Sequence, residues 1–207
     1  MRRAIMAIAV LGCILWVSSA ASAQRLEAYG GYAFAHNNST NGETSNGNGG
    51  RADVGFFPLG GFGLIADVGA DNIASFTHTQ NGLATTYSAP FHNVHYLFGT
   101  REHFTISRVS IFIQTLAGGV SRSAIIDSNP ADAGKLGVNG PIPYTFAAAQ
   151  TSWAVEPSIG LDIGITHFFG IRVGEVGERL TGFHAVNTGN FALQYDTVYS
   201  AGIIFKL

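Results

Sequence analysis

The sequence predicts an all-β protein, an eight-stranded antiparallel up-and-down transmembrane β-barrel, and three observations predict it. An export signal opens the chain, segments of alternating polarity follow one another to its end, and their connections are long and short by turns. The final segment shows the pattern at its clearest. Tyr199, Ala201, Ile203, Phe205 and Leu207 share one face, while Ser200, Gly202 and Lys206 face the other way. A strand with a bare apolar face at the chain terminus needs a cover, and lipid is a candidate.

Residues 1–23 have the parts of a secretory signal: Arg2 and Arg3, an apolar run from Ala4 to Val17, then Ala21-Ser22-Ala23 before Gln24. Cleavage is expected after Ala23, with Ala21 and Ala23 as the small residues of the site. The apolar run is shorter than the roughly 20 residues of a membrane-spanning helix. Leu11-Gly12-Cys13 loosely resembles a lipid-attachment box, but Ile14 to Val17 follow where a mature lipoprotein turns polar. Residues 24–207 are then the barrel domain. Losing the signal removes the single cysteine and two of the eleven basic residues, leaving nine against thirteen acidic ones, a net charge of about -4. No basic patch suggests nucleic acid.

The first strand is predicted over 25–36, with Leu26, Ala28, Gly30, Tyr32 and Phe34 on one face and Glu27, Tyr29, Gly31 and Ala33 on the other. Residues 37–50 hold no apolar side chain and read as a solvated loop. The second strand, 51–59, turns Ala52, Val54 and Phe56 away from Arg51, Asp53 and Gly55 and ends at Pro58-Leu59-Gly60-Gly61. The third sets Phe62, Leu64, Ala66 and Val68 against Asp67, and a polar connection is expected over 71–89. The fourth, 91–101, carries Val94, Tyr96 and Phe98 outward, and a turn near 102–107 leads into the fifth, 108–121, with Val109, Ile111, Ile113 and Ala117 opposite Gln114.

Three prolines and several glycines make 122–150 a loop. The sixth strand, 153–165, alternates Trp153, Val155, Ile159, Leu161 and Ile163 with Glu156, Ser158, Gly160, Asp162 and Gly164, and Pro157 predicts a local pairing defect. In the seventh, 169–180, the alternation slips after Val173; a β-bulge accounts for this and leaves the direction of Glu175 open. The eighth, 191–207, follows a connection over 181–190 and puts Leu193, Tyr195, Tyr199 and Phe205 on one face.

Eight strands with four longer and three short connections fit a barrel whose short turns and termini are periplasmic. Alternation alone does not separate this from a soluble barrel, which buries its apolar face. The choice rests on the export signal, the loop asymmetry, and a polar face with too few charges for a water-facing exterior. Backbone amides cannot bond to water in lipid, so the sheet must close on itself. The inward set would be Glu27, Arg51, Asp53, Asp67, Gln114, Glu156, Asp162, Arg172 and Asp196, filling the lumen with a polar network.

The stretch 51–71, Tyr96-Leu97-Phe98-Gly99, Gly160-Leu161-Asp162-Ile163, Ile171-Arg172-Val173 and the closing residues 199–205 together resemble the bacterial OmpA-like outer-membrane β-barrel family. Ser200, Gly202, Phe205 and Leu207 resemble that class's C-terminal insertion signal, with Leu207 where an aromatic residue is commoner. The resemblance implies a barrel without the peptidoglycan-binding domain of larger members. It also implies a monomer in the bacterial outer membrane among lipid and lipopolysaccharide, placed by the barrel-assembly machinery, with a structural or adhesin-like surface role. A narrow porin-like channel for small solutes is the alternative, and a lipid A-modifying enzyme a third reading.

No constellation calls for a cofactor or metal. His92 and His95, three residues apart on a strand, fall on opposite faces. Glu156 and Asp162 share a face about 20 Å apart, too far for paired-carboxylate catalysis, and are expected to partner Arg172 or Arg51. His36, Ser39, His92 and His184 lie near outer ends without forming one compact catalytic set.

Overall fold

The computed structural model describes residues 25–39, 43–80, 83–87, 91–124, 149–184 and 191–207. The expected signal segment and its cleavage residues, Ala21 and Ala23, lie outside them. Among the described residues there are nine strands: β1 (Arg25–Ser39), β2 (Glu43–Leu59), β3 (Phe62–Gln80), β4 (Leu83–Tyr87), β5 (Phe91–Ile106), β6 (Val109–Ala124), β7 (Ala149–Gly164), β8 (Phe169–His184) and β9 (Phe191–Lys206). Eight of them form a closed ring in which each strand pairs antiparallel with its neighbours and β9 returns to β1. The ninth, β4, is an addition outside the ring, paired with the end of β3.

Alternation places the side chains as lipid would require. Leu64 and Phe98 are 56% and 63% exposed on the outside, whereas Ile65 and Leu97 next to them in sequence are buried inside. Phenylalanines 56, 62, 104, 168 and 205 ring the end that carries the tight turns, and Tyr32, Tyr96, Trp153, Tyr195 and Tyr199 lie farther along the strands. Tyr195 to Phe205 is ten residue steps, roughly 33 Å along the strand and roughly 25 Å once tilted, which is the height of a membrane barrel's apolar band.

Three of the connections at the terminal end are tight. Gly60 and Gly61 join β2 to β3, with Gly60 at φ 55°. Ser107 and Arg108 join β5 to β6, with Ser107 at φ 58°, and residues 165–168 join β7 to β8. The β5–β6 turn is thus shorter than the expected 102–107, because Glu102 to Ile106 stay paired with β6 up to Ile106↔Val109.

Two expected connections are corrected. Most of the stretch 37–50 is strand: Asn37↔Ser45 continues the β1–β2 ladder, Tyr32 donates to Asn48, and His36 Nδ1 lies 2.7 Å from Asn46 Oδ1. Most of 71–89 is a hairpin: β3 stays with β5 to Ile73↔Phe91, then pairs with β4 from Phe76↔Tyr87 to Gln80↔Leu83. Above the lipid level nothing demands an apolar outer face, so these ladders continue without the alternation that marks them lower down. The ends of β6, β7 and β8 likewise extend into 122–124, 149–152 and 181–184, which the sequence pattern assigns to connections.

Both irregularities expected in the sheet are present. The β7–β8 ladder passes from Val155↔Leu180 to Ser158↔Gly177 and omits Glu156 and Pro157, while Thr115↔Pro157 on the β6 side is kept. Proline lacks the donor for one neighbour only. In β8 the register shifts between Arg172 and Glu175, so Val173 and Gly174 lie between two inward residues and Glu175 points into the barrel.

The closing seam depends on glycine. Gly31 stands opposite Gly202, and a Cβ on Gly202 would lie 2.3 Å from Gly30 O and 2.5 Å from Gly31 Cα. Gly30, by contrast, has nothing within 4 Å of its Cβ position. Gly202→Val is therefore expected to destabilise the barrel by about 1–3 kcal/mol in urea unfolding from micelles, and Gly30→Ala by no more than about 0.5 kcal/mol. Equal effects would rule out a special role for the seam.

Candidate functional site

Among the described residues the polar side chains of the strands converge in the lumen, placed there by period 2 with one reset of parity at the bulge in β8. Every inward residue of the expected set is buried: Glu27, Arg51, Asp53, Asp67, Gln114, Glu156, Asp162, Arg172 and Asp196. These residues do not form one cluster. They lie in layers along the axis, and arginines connect the layers.

Asp53 of β2 anchors the lower middle. Arg101 of β5 takes it through both oxygens, at 3.2 and 2.7 Å, and donates from Nε to Gln114 at 2.8 Å. Arg172 of β8 reaches the same carboxylate at 3.1 Å, donates from Nε to Asp162 at 3.0 Å, and lies 3.1 Å from Glu175. Phe112 fills the space between these two guanidinium groups, 4.8 Å from Arg101 and 4.3 Å from Arg172, and Tyr29 covers Arg172 at 4.2 Å. A guanidinium stacked on rings and forked onto carboxylates replaces its lost hydration well.

One layer farther from the turns, Arg51 of β2 donates to Asp67 at 2.6 Å and spans the lumen to Glu156 of β7, also at 2.6 Å. Arg179 of β8 donates to the other oxygen of Glu156 at 2.7 Å. Glu175 collects Gln114 at 2.6 Å, Ser158 at 2.8 Å and Ser200 at 3.1 Å. The two pairs expected for Glu156 and Asp162 are thus those with Arg51 and Arg172. Asp196 sits higher still, bonded by Gln194 at 2.6 Å, in the same tier as Asp71, which accepts from Asn93 at 2.9 Å. Glu27 lies at the opposite end against Arg25, 3.0 Å away.

Sequence reasoning missed Arg101, Glu175, Arg179, Asp71 and His95 as lumen residues. The outward Val94, Tyr96 and Phe98 already imply that His95 and Arg101 face inward. Glu175 and Arg179 follow the bulge, which resets the parity by one residue and removes that signal. The polar network also does not fill the lumen alone. Phe57, Ile65, Leu97, Leu116, Val120 and Ala154 form a buried apolar cluster inside the β2–β7 side of the wall, a consequence of inward positions that no alternation rule marks as polar.

The residues of the terminal pattern are separated by role. Ser200 points inward onto Glu175, Gly202 lies in the closing seam, Phe205 packs edge-on to Phe169 outside, and Leu207 exchanges main-chain bonds with Leu26 at 2.8 and 3.1 Å. His92 bonds to Asn72 near the outer rim, while His95 is buried 3.1 Å from Asp67, so the two histidines do face opposite ways. His36 contacts Asn46 there. The side chains of Ser39 and His184 lie outside the described residues.

No family model matches the sequence, and no curated protein matches it. In structure it is similar to the outer membrane protein OprG from Pseudomonas aeruginosa, with a TM-score of 0.57 at 13% identity over 89% of this chain and 96% of that one. It is also similar to Neisserial surface protein A, with a TM-score of 0.55 at 14% identity over 89% and 97% of the two chains. Ail, the attachment invasion locus protein of Yersinia pestis, gives 0.51 at 10% identity over 88% and 98%. At such identities the likeness establishes the barrel fold.

Removing one partner of a buried ion network leaves a charge with neither water nor counter-ion. Arg172→Leu, which strands Asp162 and weakens the hold on Asp53 and Glu175, is expected to cost about 3–5 kcal/mol in denaturant unfolding. Arg108→Leu, in the exposed β5–β6 turn, strands no partner and is expected to cost less than about 0.5 kcal/mol. A mild effect of Arg172→Leu would show that water reaches the network.

Proposed function

We propose that this chain is a structural or surface-interaction protein of the bacterial outer membrane, adhesin-like in that its contacts are made by the outer ends of its strands. The observation that carries the reading is the inverted arrangement of the molecule: an apolar exterior of exposed Leu64, Val68, Phe98, Ile113, Ile159 and Ile203 around an ion-paired interior. A water-soluble chain does not leave so continuous an apolar surface bare, and a bilayer covers it without any other partner.

The closed lumen supports an anchoring role over a conducting one. Arg51 crosses it to Glu156 and, one layer nearer the turns, Arg101 and Arg172 meet on Asp53; Arg172 and Glu156 are both fully buried, and Phe112 fills the space between the Arg101 and Arg172 guanidinium groups. Strands β2, β3 and β4 continue past the ring on the side away from the tight turns, and strand ends so placed are positioned to meet other molecules. Within this reading the chain is a monomer of the OmpA-like barrel family, without an enzymatic site, lying among lipid and lipopolysaccharide. The pattern of Ser200, Gly202, Phe205 and Leu207 is what the assembly machinery reads. Ail, of similar fold, is by its name an attachment invasion locus protein, which supports the adhesin-like reading.

Two measurements test the proposal. Refolded protein in a planar bilayer is expected to give no reproducible unit currents; stable steps of fixed size would favour the channel. Ile203→Arg is expected to cost about 2–4 kcal/mol if that side chain faces mid-bilayer, measured by unfolding from lipid vesicles. A negligible cost, or recovery of the wild-type protein in the soluble periplasmic fraction, would refute the membrane placement.

A further inference from the structure

A cavity of about 780 Å³ opens at the end of the barrel that carries the tight turns, and its chemistry differs from that of the acid-rich lumen above it. Its cations come from separate parts of the chain: Arg25 at the start of β1, Arg108 in the β5–β6 turn and Lys206 at the end of β9, with His167 in the β7–β8 connection. No aspartate or glutamate lines it. Glu27, just inside, is matched to Arg25 at 3.0 Å. Lys206 stands opposite Glu27 in the β1–β9 ladder without a salt bridge at contact distance among the described residues, Arg108 sits in the exposed turn, and Arg25 Nε is buried without a hydrogen-bond partner. Like charges brought together from distant sequence positions repel, and an anion between them removes the repulsion.

The cavity also has an apolar side. Phe168 and Leu207 line it and are 66% and 74% exposed, continuing the apolar belt to the barrel's end. A free inorganic anion has no use for that rim, whereas an amphiphile does. We infer that the cavity holds the phosphate group of a phospholipid of the periplasmic leaflet, with Arg108 and Lys206 facing the phosphate and the acyl chains running over Phe168 and Leu207. Arginine and lysine at headgroup level next to an aromatic ring are well suited to such a ligand. The inference rests on the proposed membrane placement, which sets this end at the periplasmic face.

The test uses the refolded full mature chain, titrated in non-ionic detergent with phosphatidylglycerol or with inorganic phosphate and read by native mass spectrometry. One phosphatidylglycerol is expected to stay bound per barrel. Arg108→Ala combined with Lys206→Ala is expected to weaken it about tenfold or more, two cations being lost, with heat-modifiable mobility unchanged. Unchanged lipid retention in the variant overturns the site. Inorganic phosphate that binds as tightly as the lipid overturns the lipid as its occupant. Should the double variant fail to fold, Arg108→Gln in the exposed turn replaces it, with the same outcomes at a smaller fold-change. A wild-type barrel that inserts into vesicles but shows no saturable lipid binding sinks the site alone, and one that does not insert sinks the membrane placement with it.

Discussion

Lipid offers no hydrogen-bond partner to a peptide group, and the rest of this structure depends on that constraint. Each strand in the belt must be paired on both sides, so β9 has to find β1, and it does so over a ladder from Glu27↔Lys206 to Ser39↔Gln194. The tolerated exceptions show how strict the rule is. Pro157 has no amide hydrogen to leave unsatisfied, so the gap in the β7–β8 ladder falls where a donor is already missing. The bulge at Val173 and Gly174 adds a residue without ending either neighbouring ladder. The seam is closed by Gly31 and Gly202 facing each other, since a side chain on Gly202 would meet the opposite backbone.

Closure with so few strands creates a second problem, a lumen too narrow for bulk water and lined by whatever faces inward. A carboxylate there would be costly alone, yet Asp53, Asp67, Glu156, Asp162 and Glu175 are all buried. Arginine resolves this better than lysine could, because a forked guanidinium serves several acids at once: Arg172 meets Asp53, Asp162 and Glu175, and Arg51 meets Asp67 and Glu156. The strands contributing these groups are far apart in sequence. The ions therefore tie the ring together across its diameter, where hydrogen-bonded ladders run only around it.

The fold was legible in the sequence wherever lipid acts on it. Phe62, Leu64, Ala66 and Val68 alternate with Asp67 because one side of β3 meets hydrocarbon and the other meets Arg51, and this contrast survives in the residue types. Beyond the bilayer the contrast disappears. Asn48, Gly49 and Gly50 pair as regularly as Val54 does, but their composition reads as loop. In the site, direction was legible and partnership was not. Parity places Arg51 and Glu156 inside, but their 2.6 Å contact across the lumen depends on strand tilt and register, which period 2 does not encode. Glu175 shows the limit: two outward residues in succession leave its own direction undetermined until the register with β9 is known.

A filled barrel with a featureless apolar wall has its chemistry confined to its two ends, and those ends are unlike. At the outer end the ring continues into β2, β3 and β4, with Asp71 and Asp196 held by Asn93 and Gln194 just beneath the rim. At the turn end Arg25, Arg108 and Lys206 gather around an open cavity bordered by Phe168. A membrane barrel inserted either way up would satisfy its backbone equally, so pairing does not choose an orientation. The charge does distinguish the two ends: Asp71 and Asp196 lie beneath the rim at one, and Arg25, Arg108 and Lys206 at the short turns of the other. The tight turns keep the basic end close to the membrane plane, where headgroup phosphates lie, while the long strands carry the other end clear of it.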